Sequence, residues 1–170
     1  MNAGRETQDV YLPVVTVDGV FVAHYSADGL RGLDFPSKQN GGNANDEKIE
    51  AKVRAWHRLT SAAVKNILAG KTPAELPPLD LLGGTEFQLS VWTSLLKIKP
   101  GRTQSYGEIA KAIGRPKAVR AVGGACGANP IPLLVPCHRV LAANGKIGGF
   151  SGGLGWKEKL LAREGVSVAG

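Results

Sequence analysis

The first hydrophobic pattern along the chain is the alternation typical of β-strands. Residues 11–17, 20–25 and 30–35 are rich in β-branched and aromatic side chains, with Asp18-Gly19 and Asp28-Gly29 between the runs. Such side chains suit a pleated, half-buried surface. An Asp-Gly pair favours a tight hairpin, because a type I′ turn needs positive φ at both central positions. The pattern therefore predicts a three-stranded antiparallel meander with a type I′ turn at Asp18-Gly19.

From Asp46 the hydrophobic period lengthens to three or four residues. This spacing predicts one amphipathic helix that ends at Gly70, with an apolar face made by Ile49, Val53, Trp56, Ala63 and Ile67. The polar residues 37–45 before the helix predict a mobile loop. Residues 71–84 hold three prolines and two glycines, which predicts a linker. We therefore expect an N-terminal domain at 1–79, with most of the linker, and a C-terminal domain at 80–170.

Capping boxes mark two helix starts in the second half. Thr85-Glu86-Phe87-Gln88 and Ser105-Tyr106-Gly107-Glu108 each place a Ser or Thr three residues before a Gln or Glu, so that each side chain can bond the other's backbone N–H. We expect the first helix to extend to Pro100-Gly101 and the second to Gly114. A closing helix is predicted over residues 154–164.

A further helix is predicted directly after Gly114, with Pro116 as its first residue and Cys126 near its end. The pair would form a helix-turn-helix unit, whose second helix enters a DNA groove. Residues 117–125 are mostly small, whereas major-groove readers carry several polar side chains for base edges. We interpret this helix as one that lies close to DNA without reading its sequence. For Arg120, the long side chain at its centre, a simple phosphate contact is the alternative role.

Charge is divided unevenly between the two halves. Residues 1–96 carry nine Lys/Arg against eleven Asp/Glu, whereas residues 97–170 carry twelve against three, and the net charge is +7. A strongly basic half predicts a polyanionic partner, with nucleic acid the first candidate and a membrane surface the second. A solvated basic face without a partner is the alternative.

Two cysteines are too few for a disulfide framework, which favours a reducing compartment. The N-terminal residues have no apolar secretory segment, and no apolar run approaches the ~18 residues that span a bilayer. The sequence therefore predicts a soluble intracellular protein.

The strongest chemical signal is Pro136-Cys137-His138-Arg139-Val140, which lies between the apolar residues 131–135 and the glycine-rich residues 148–153. The apolar run predicts a buried strand that ends at a thiol next to an imidazole. A free cysteine, with a pKa near ~8.5, is a poor nucleophile at neutral pH unless a base or cation helps it to ionise. The alternative is that Cys137 is a small buried hydrophobe.

Six motifs in unbroken order resemble those of the O6-alkylguanine-DNA alkyltransferases. They are Ser105-Tyr106-Gly107, Pro116-Lys117-Ala118-Val119-Arg120-Ala121-Val122-Gly123-Gly124-Ala125, Asn129-Pro130, Pro136-Cys137-His138-Arg139-Val140, Gly148-Gly149-Phe150-Ser151-Gly152-Gly153, and Lys157 with Leu160-Leu161 and Glu164-Gly165. The resemblance covers residues 80–165; the first 79 residues match only in their order of strands and helix. It implies an α/β (α+β) fold, with an antiparallel sheet and helix in a ribonuclease-H-like N-terminal domain. The C-terminal domain would be mainly helical, with the helix-turn-helix unit and the active cysteine.

The resemblance also implies a chemistry. Cys137 would take the alkyl group from O6-alkylguanine, and from O4-alkylthymine, in a single irreversible turnover. His138 would accept the thiol proton, through water in this family, and Glu164 would orient the imidazole. Tyr106 would assist the departing guanine, and Asn129 would brace the turn before the cysteine.

For DNA, the resemblance implies minor-groove binding to duplexes with little sequence dependence, and extrusion of the damaged base into a pocket. Arg120 would fill the gap left in the base stack. It also implies a monomer with no cofactor, metal or membrane partner, located in the cytoplasm, or in the nucleus if the source is a eukaryote. The implied DNA contacts are Arg120, Ala121, Gly123, Tyr106 and Ser151, and the implied pocket residues are Tyr106, Val140, Phe150 and Ser151.

The sequence departs from the family pattern at two points, and two alternative functions remain open. Phe150 stands where many relatives have tyrosine, and the first half lacks the cysteines with which some relatives bind zinc. One alternative function is a lesion-binding module in which Cys137 is buried and inert; alkyltransferase-like proteins, which bind without repair, have tryptophan at that position. The other is a thiol hydrolase that uses Cys137, His138 and Glu164.

Overall fold

The computed structural model describes residues 9–38, 49–150 and 153–168. Within them the chain forms a three-stranded antiparallel sheet, a short two-stranded parallel pair and five α-helices. Sheet and long helix come first, and the second half is mainly helical. The expected mixed α/β fold class is therefore confirmed.

The meander is present as β1 (Val10–Thr16), β2 (Gly19–Ser26) and β3 (Gly29–Asp34), in the order β1-β2-β3. The predicted type I′ turn at Asp18-Gly19 is wrong. Thr16 pairs with Gly19, so Val17 and Asp18 form the loop, and of these three turn residues only Gly19 has positive φ, at 118°. The Thr16 hydroxyl sets this geometry, since it accepts from the Asp18 N–H (3.1 Å) and donates to the Gly19 carbonyl (2.8 Å).

The long helix α1 spans Ala51–Leu68 and buries Val53, Ala63 and Ile67. It begins after Ile49, because Glu50 has an extended backbone at the N-cap. Asp46, where we expected the start, and most of the predicted 37–45 loop lie outside the described residues. As expected, the helix ends before Gly70, which has φ of 74°.

Within the predicted linker, residues 78–80 run along strand β3. Leu30 donates its N–H to the Pro78 carbonyl and accepts from the Asp80 N–H, both at 2.8 Å, and Leu79 bridges to it. One hydrophobic core includes residues of both halves, as where Trp156 contacts the Phe21 ring at 5.7 Å. The domain ranges 1–79 and 80–170 stay a prediction.

Both capping boxes are confirmed, at the starts of α2 (Glu86–Leu95) and α3 (Tyr106–Ala112). The first of these helices ends five residues before Pro100. The next helix, α4 (Val119–Gly127), begins three residues later than predicted, because Pro116 lies in a turn that is closed by an Ala118 N–H to Arg115 carbonyl bond of 2.9 Å. Helices α3 and α4 pack together as the expected helix-turn-helix unit.

The predicted buried strand before Cys137 is wrong. Residues 131–135 are buried but form a turn in which Leu133 takes a left-handed φ of 72°. Cys137–Arg139 form one turn of 3-10 helix, since the Arg139 N–H bonds the Pro136 carbonyl at 3.1 Å. Strand β5 (Val140–Leu141) follows and pairs in parallel with β4 (Gln104–Ser105).

The closing helix α5 spans Leu154–Arg163, which agrees with the prediction to within one residue. Glu164 caps it, and Gly165 follows with φ of 78°. In the part of the chain that the structure describes, none of the helices has the length and apolar character that crossing a bilayer demands.

Candidate active site

A cavity of about 500 Å³ opens beside Cys137, within the ~300–1,000 Å³ that is usual for small-molecule sites. It lies between the start of α3, the later part of α4 and the 3-10 turn. Two aromatic side chains and several small residues line it: Tyr106, Gly123, Cys126, Gly127, Cys137, Gly149 and Phe150. The 3-10 turn brings Cys137 to the cavity, and the glycines of the lining add no side chains to it.

Cys137 is only 3 % exposed, and this burial raises the pKa of its thiol. A hydrogen bond with the Asn129 side chain and the positive charge of Lys157 oppose that rise without cancelling it. The resting group is therefore the protonated thiol, and a base must take its proton before it can attack.

His138 is fully buried next to Cys137 and is fixed by a carboxylate. Its Nε2 lies 3.0 Å from Glu164 Oε1, and burial lowers the imidazole pKa despite the hydrogen bond to Glu164. In the neutral ring, Nε2 therefore carries the hydrogen and donates to Glu164, which leaves the lone pair on Nδ1. Nδ1 is buried and has no protein partner among the described residues. This nitrogen is a candidate proton acceptor.

Glu164 remains ionised, although its side chain has no exposed surface. Burial raises its pKa, but hydrogen bonds from His138 and Arg139 outweigh that effect and bring it to about 2. Arg139 donates through Nε to both carboxylate oxygens at 3.1 Å and through Nη2 to Oε1 at 2.8 Å. Its Nη1 bonds the Ile98 carbonyl at 2.7 Å. Sequence reasoning gave Arg139 no role; the signal was that a buried carboxylate needs a cation as well as a histidine.

Lys157 is a second residue that sequence reasoning left without a role. It is fully buried, donates to the Gly149 carbonyl at 3.1 Å and places Nζ 5.9 Å from the centre of the Tyr106 ring. Burial lowers its pKa, whereas the two cysteines raise it. Its spacing from Leu160 and Leu161 on α5 placed it on the apolar face, and a lysine there signals a buried charge with a specific task.

Tyr106 is the first residue of α3, directly after its N-cap Ser105. Burial raises the pKa of its phenol, and the negative charge of either thiolate raises it further. A side chain at Gly148, which has φ of 68°, would come within 2.9 Å of the phenol oxygen. Gly148 is therefore needed for the glycine-rich segment to pass over Tyr106.

Asn129 spans the turn that leads to Cys137. Its Nδ2 donates to the Val135 carbonyl at 2.7 Å, and its Oδ1 accepts from the Ile131 N–H at 3.0 Å. Both bonds are buried, so the amide satisfies backbone groups that form no strand pairing here. The same side chain also lowers the pKa of the Cys137 thiol, against the effect of burial.

The outer face of α4 is small and exposed. Arg120 and Ala121 are exposed, and a Cβ added at Gly123, Gly124 or Gly127 would meet no atom within 4 Å. Packing inside the protein therefore does not require glycine at these positions. Gly123 lines the cavity, whereas Arg120 and Ala121 do not.

The other predicted pocket residues divide three ways. Phe150 lines the cavity, and its ring contacts Phe35 of the first half at 5.7 Å. Val140 is fully buried, pairs with Gln104 and is not among the lining residues. Ser151 lies outside the described residues.

Cys126 is a second thiol on the cavity wall that sequence reasoning noted only as a helix residue. Burial raises its pKa to about 12, and the charge of Cys137 adds to that effect. It is therefore a much weaker nucleophile than a cysteine beside a working base.

Comparison with known proteins agrees with this geometry. Residues 86–166 match the family described as 6-O-methylguanine DNA methyltransferase, DNA binding domain. The methylated-DNA--protein-cysteine methyltransferase of Methanosarcina acetivorans is 61 % identical over 141 residues, which cover 81 % of this chain and 86 % of the relative. The corresponding inducible protein of Bacillus subtilis is 46 % identical over 82 % of this chain and 83 % of its own.

Solved structures give the same result. The crystal structure of Mycobacterium tuberculosis O6-methylguanine methyltransferase is 35 % identical, with a TM-score of 0.71 over 92 % of this chain and 93 % of its own. A structure of Mycobacterium tuberculosis OGT in complex with DNA has a TM-score of 0.67 at 34 % identity, and covers 91 % of each chain. The chain therefore belongs to the methylated-DNA--protein-cysteine methyltransferase family.

Proposed function

We propose that this protein repairs DNA by moving the alkyl group of O6-alkylguanine, and of O4-alkylthymine, onto Cys137. The observation that carries the proposal is that one cavity is lined by Cys137, Tyr106 and the glycines of α4. It joins a nucleophile, a hydroxyl and an open wall large enough for a base. The names of the relatives, which specify methylated DNA and a protein cysteine, support the same reaction.

The transfer begins with the protonated thiol. The thiol proton moves to Nδ1 of His138, through a water molecule, and Glu164 stabilises the imidazolium that forms. Sulfur then attacks the alkyl carbon, the carbon–O6 bond breaks, and its electron pair stays on the guanine oxygen. A hydrogen bond or proton from the Tyr106 hydroxyl compensates the charge on the departing base.

The charges around the cavity favour this direction of reaction. Lys157 lowers the pKa of the Cys137 thiol and thereby stabilises the sulfur anion as it forms. Arg139 and His138 hold Glu164 ionised, so a carboxylate is ready when the imidazole gains its proton. The product is a thioether, which His138 has no means of hydrolysing. Each molecule therefore acts once.

Base extrusion supplies the substrate. A base inside a duplex cannot reach a cavity in the protein, so it must leave the stack at a cost of a few kcal/mol. The exposed Arg120 would enter the space that the base vacates, while the small face of α4 lies in the minor groove. The net charge of +9 in residues 97–170 would bind phosphate without regard to sequence. We propose that one monomer binds one alkylated site in double-stranded DNA.

Intact-protein mass spectrometry tests the reaction. After incubation with duplex DNA that carries one O6-methylguanine, the protein should gain one methyl group, and peptide mapping should place it on Cys137. Cys137→Ala should bind the duplex and gain no mass. Cys126→Ala, which removes the other thiol of the cavity, should still carry the adduct. Binding without an adduct in the wild type would refute the transfer and favour the lesion-binding module, and repeated turnover without DNA would favour the hydrolase.

A further inference from the structure

We infer that Asp18, in the loop of the first hairpin, is a positioning residue for alkyl transfer, because it fixes the end of α5 from which Glu164 holds His138. The inference rests on the proposed function. It gives the N-terminal sheet a part in the chemistry of the second half. The contact pairs residues 145 positions apart in sequence.

Asp18 binds α5 through two cations. Its carboxylate accepts from both terminal nitrogens of Arg163, at 2.8 and 2.7 Å, and lies 3.0 Å from the Lys159 Nζ. The Asp18 side chain is only 8 % exposed. The hydrogen bond to Arg163 is the main reason why the pKa of this carboxyl lies well below its ordinary range. A two-point Arg–carboxylate pair fixes orientation as well as distance.

Arg163 is held on a second side by α1. Its Nη1 also donates to the Leu68 carbonyl, at 3.1 Å, at the last residue of that helix. A side chain at Gly70 would collide with the Arg163 carbonyl. The end of α5 is therefore seated against both the first hairpin and the end of α1.

Glu164 follows Arg163 directly in the chain. Its N–H bonds the Leu160 and Leu161 carbonyls at 3.2 and 3.1 Å, so its backbone continues the last turn of α5. Its carboxylate reaches His138 Nε2 at 3.0 Å. A rotation or shift of the end of α5 would change this bond first, and with it the position of Nδ1.

An ordinary exposed ion pair would not have this effect, because such pairs contribute little to stability and tolerate movement. Asp18 differs because its own side chain is largely covered, although Arg163 is 30 % exposed, and because Arg163 is also held by the Leu68 carbonyl. Misplacing a catalytic group by about 1 Å can cost on the order of 100-fold in rate. A partial shift of Glu164 should therefore cost less.

The test compares two variants of the full chain, each of which replaces the aspartate of one hairpin loop by the neutral asparagine. Asp18→Asn removes the anchor, and Asp28→Asn makes the same charge change in the loop between β2 and β3, where the residue is exposed. Single-turnover transfer from methylated duplex gives the maximum rate and the half-saturating concentration. The proton resonance of His138 Nε2–H, in protein labelled with ¹⁵N-histidine, reports the bond to Glu164 independently of activity.

We expect Asp18→Asn to lower the maximum rate on the order of tenfold, with half-saturation unchanged to within about twofold, and to shift the His138 resonance. Asp28→Asn should match the wild type in its maximum rate, its half-saturating concentration and its His138 resonance. Asp18→Glu should recover most of the rate, because it restores a carboxylate. Arg163→Lys keeps the charge without the two-point geometry and should show the same rate defect as Asp18→Asn.

A wild-type maximum rate and an unshifted His138 resonance in Asp18→Asn would overturn the inference, whatever happens to its melting temperature. If Asp18→Asn does not fold, Arg163→Lys decides the matter by the same two readouts. A wild type that gains no methyl group would refute the proposed function instead. The His138 resonance would then still show whether Asp18 controls the histidine.

Discussion

The outer face of α4 and the cluster around Glu164 belong to the same second half of the chain and are built in contrasting ways. On α4 the side chains are small, and Gly124 is exposed with open space around its Cα. Around Glu164 a carboxylate, an imidazole and a guanidinium are buried and joined by hydrogen bonds. The first arrangement leaves room for a partner, whereas the second leaves no room for movement. The difference indicates that binding and proton transfer can be impaired separately.

Acid should affect the Glu164 cluster most strongly. Bonds from His138 and Arg139 hold the pKa of Glu164 at about 2, against an ordinary value of 4.5. A depressed pKa contributes stability that is complete above the unfolded value and is lost as the pH falls from 4.5 towards 2. Converted at 1.36 kcal/mol per unit, the contribution is about 3 kcal/mol. Urea unfolding between pH 6 and 2 measures it.

The matched variants are Glu164→Gln and Glu158→Gln, the latter on the exposed side of α5. Glu164→Gln should lose stability at neutral pH and show a flatter acid limb, whereas Glu158→Gln should follow the wild type. Asp18 and His138 also have lowered pKa values, so both contribute to the acid limb of all three proteins. Parallel acid limbs in wild type and Glu164→Gln would contradict the assignment.

The contrast also explains which features could be read from the sequence. Capping boxes involve residues three apart, so the starts of α2 and α3 were predictable. The turn before Cys137 depends on Asn129 reaching across six residues, and an apolar run alone suggested a strand. Arg139 depends on a carbonyl 41 residues away in sequence, and Lys157 on a carbonyl of the loop before α5. The reaction could be predicted from Cys137 and its neighbours, but the supporting charges of Arg139 and Lys157 could not.

On α4, the largest expected effect comes from Arg120. Arg120→Ala should lower the rate of repair of duplex DNA by roughly 10- to 100-fold, because an extruded base costs a few kcal/mol and its gap is no longer filled. Reaction with free O6-benzylguanine, which needs no extrusion, should stay within about twofold. Single-turnover rates on the two substrates measure the ratio.

Arg115→Ala is the control, since it removes another exposed cation, just before α4. It should weaken duplex binding through the loss of a phosphate contact and reduce the salt dependence of binding, without a large change in the maximum rate. Equal losses on duplex and free base for Arg120→Ala would remove its role in extrusion.

The smallest expected effect comes from Gly124→Ala, which tests directly how closely DNA approaches the α4 surface. Gly124→Ala adds a methyl group that meets no atom within 4 Å, and alanine in a helix interior is favoured over glycine by roughly 0.5–1 kcal/mol. The free protein should therefore become more stable, while its affinity for duplex DNA should fall, because the methyl group holds the DNA away from the helix backbone.

Gly155→Ala on α5 is the control. This exposed glycine also has open space around it, so its replacement should stabilise the protein without weakening DNA binding. Gly84→Ala should instead destabilise the protein, since its methyl group would collide with the Trp92 ring. Thermal unfolding and fluorescence anisotropy on the three variants give both quantities; a Gly124→Ala protein that is more stable and binds DNA as tightly as the wild type would show that DNA does not approach this face closely.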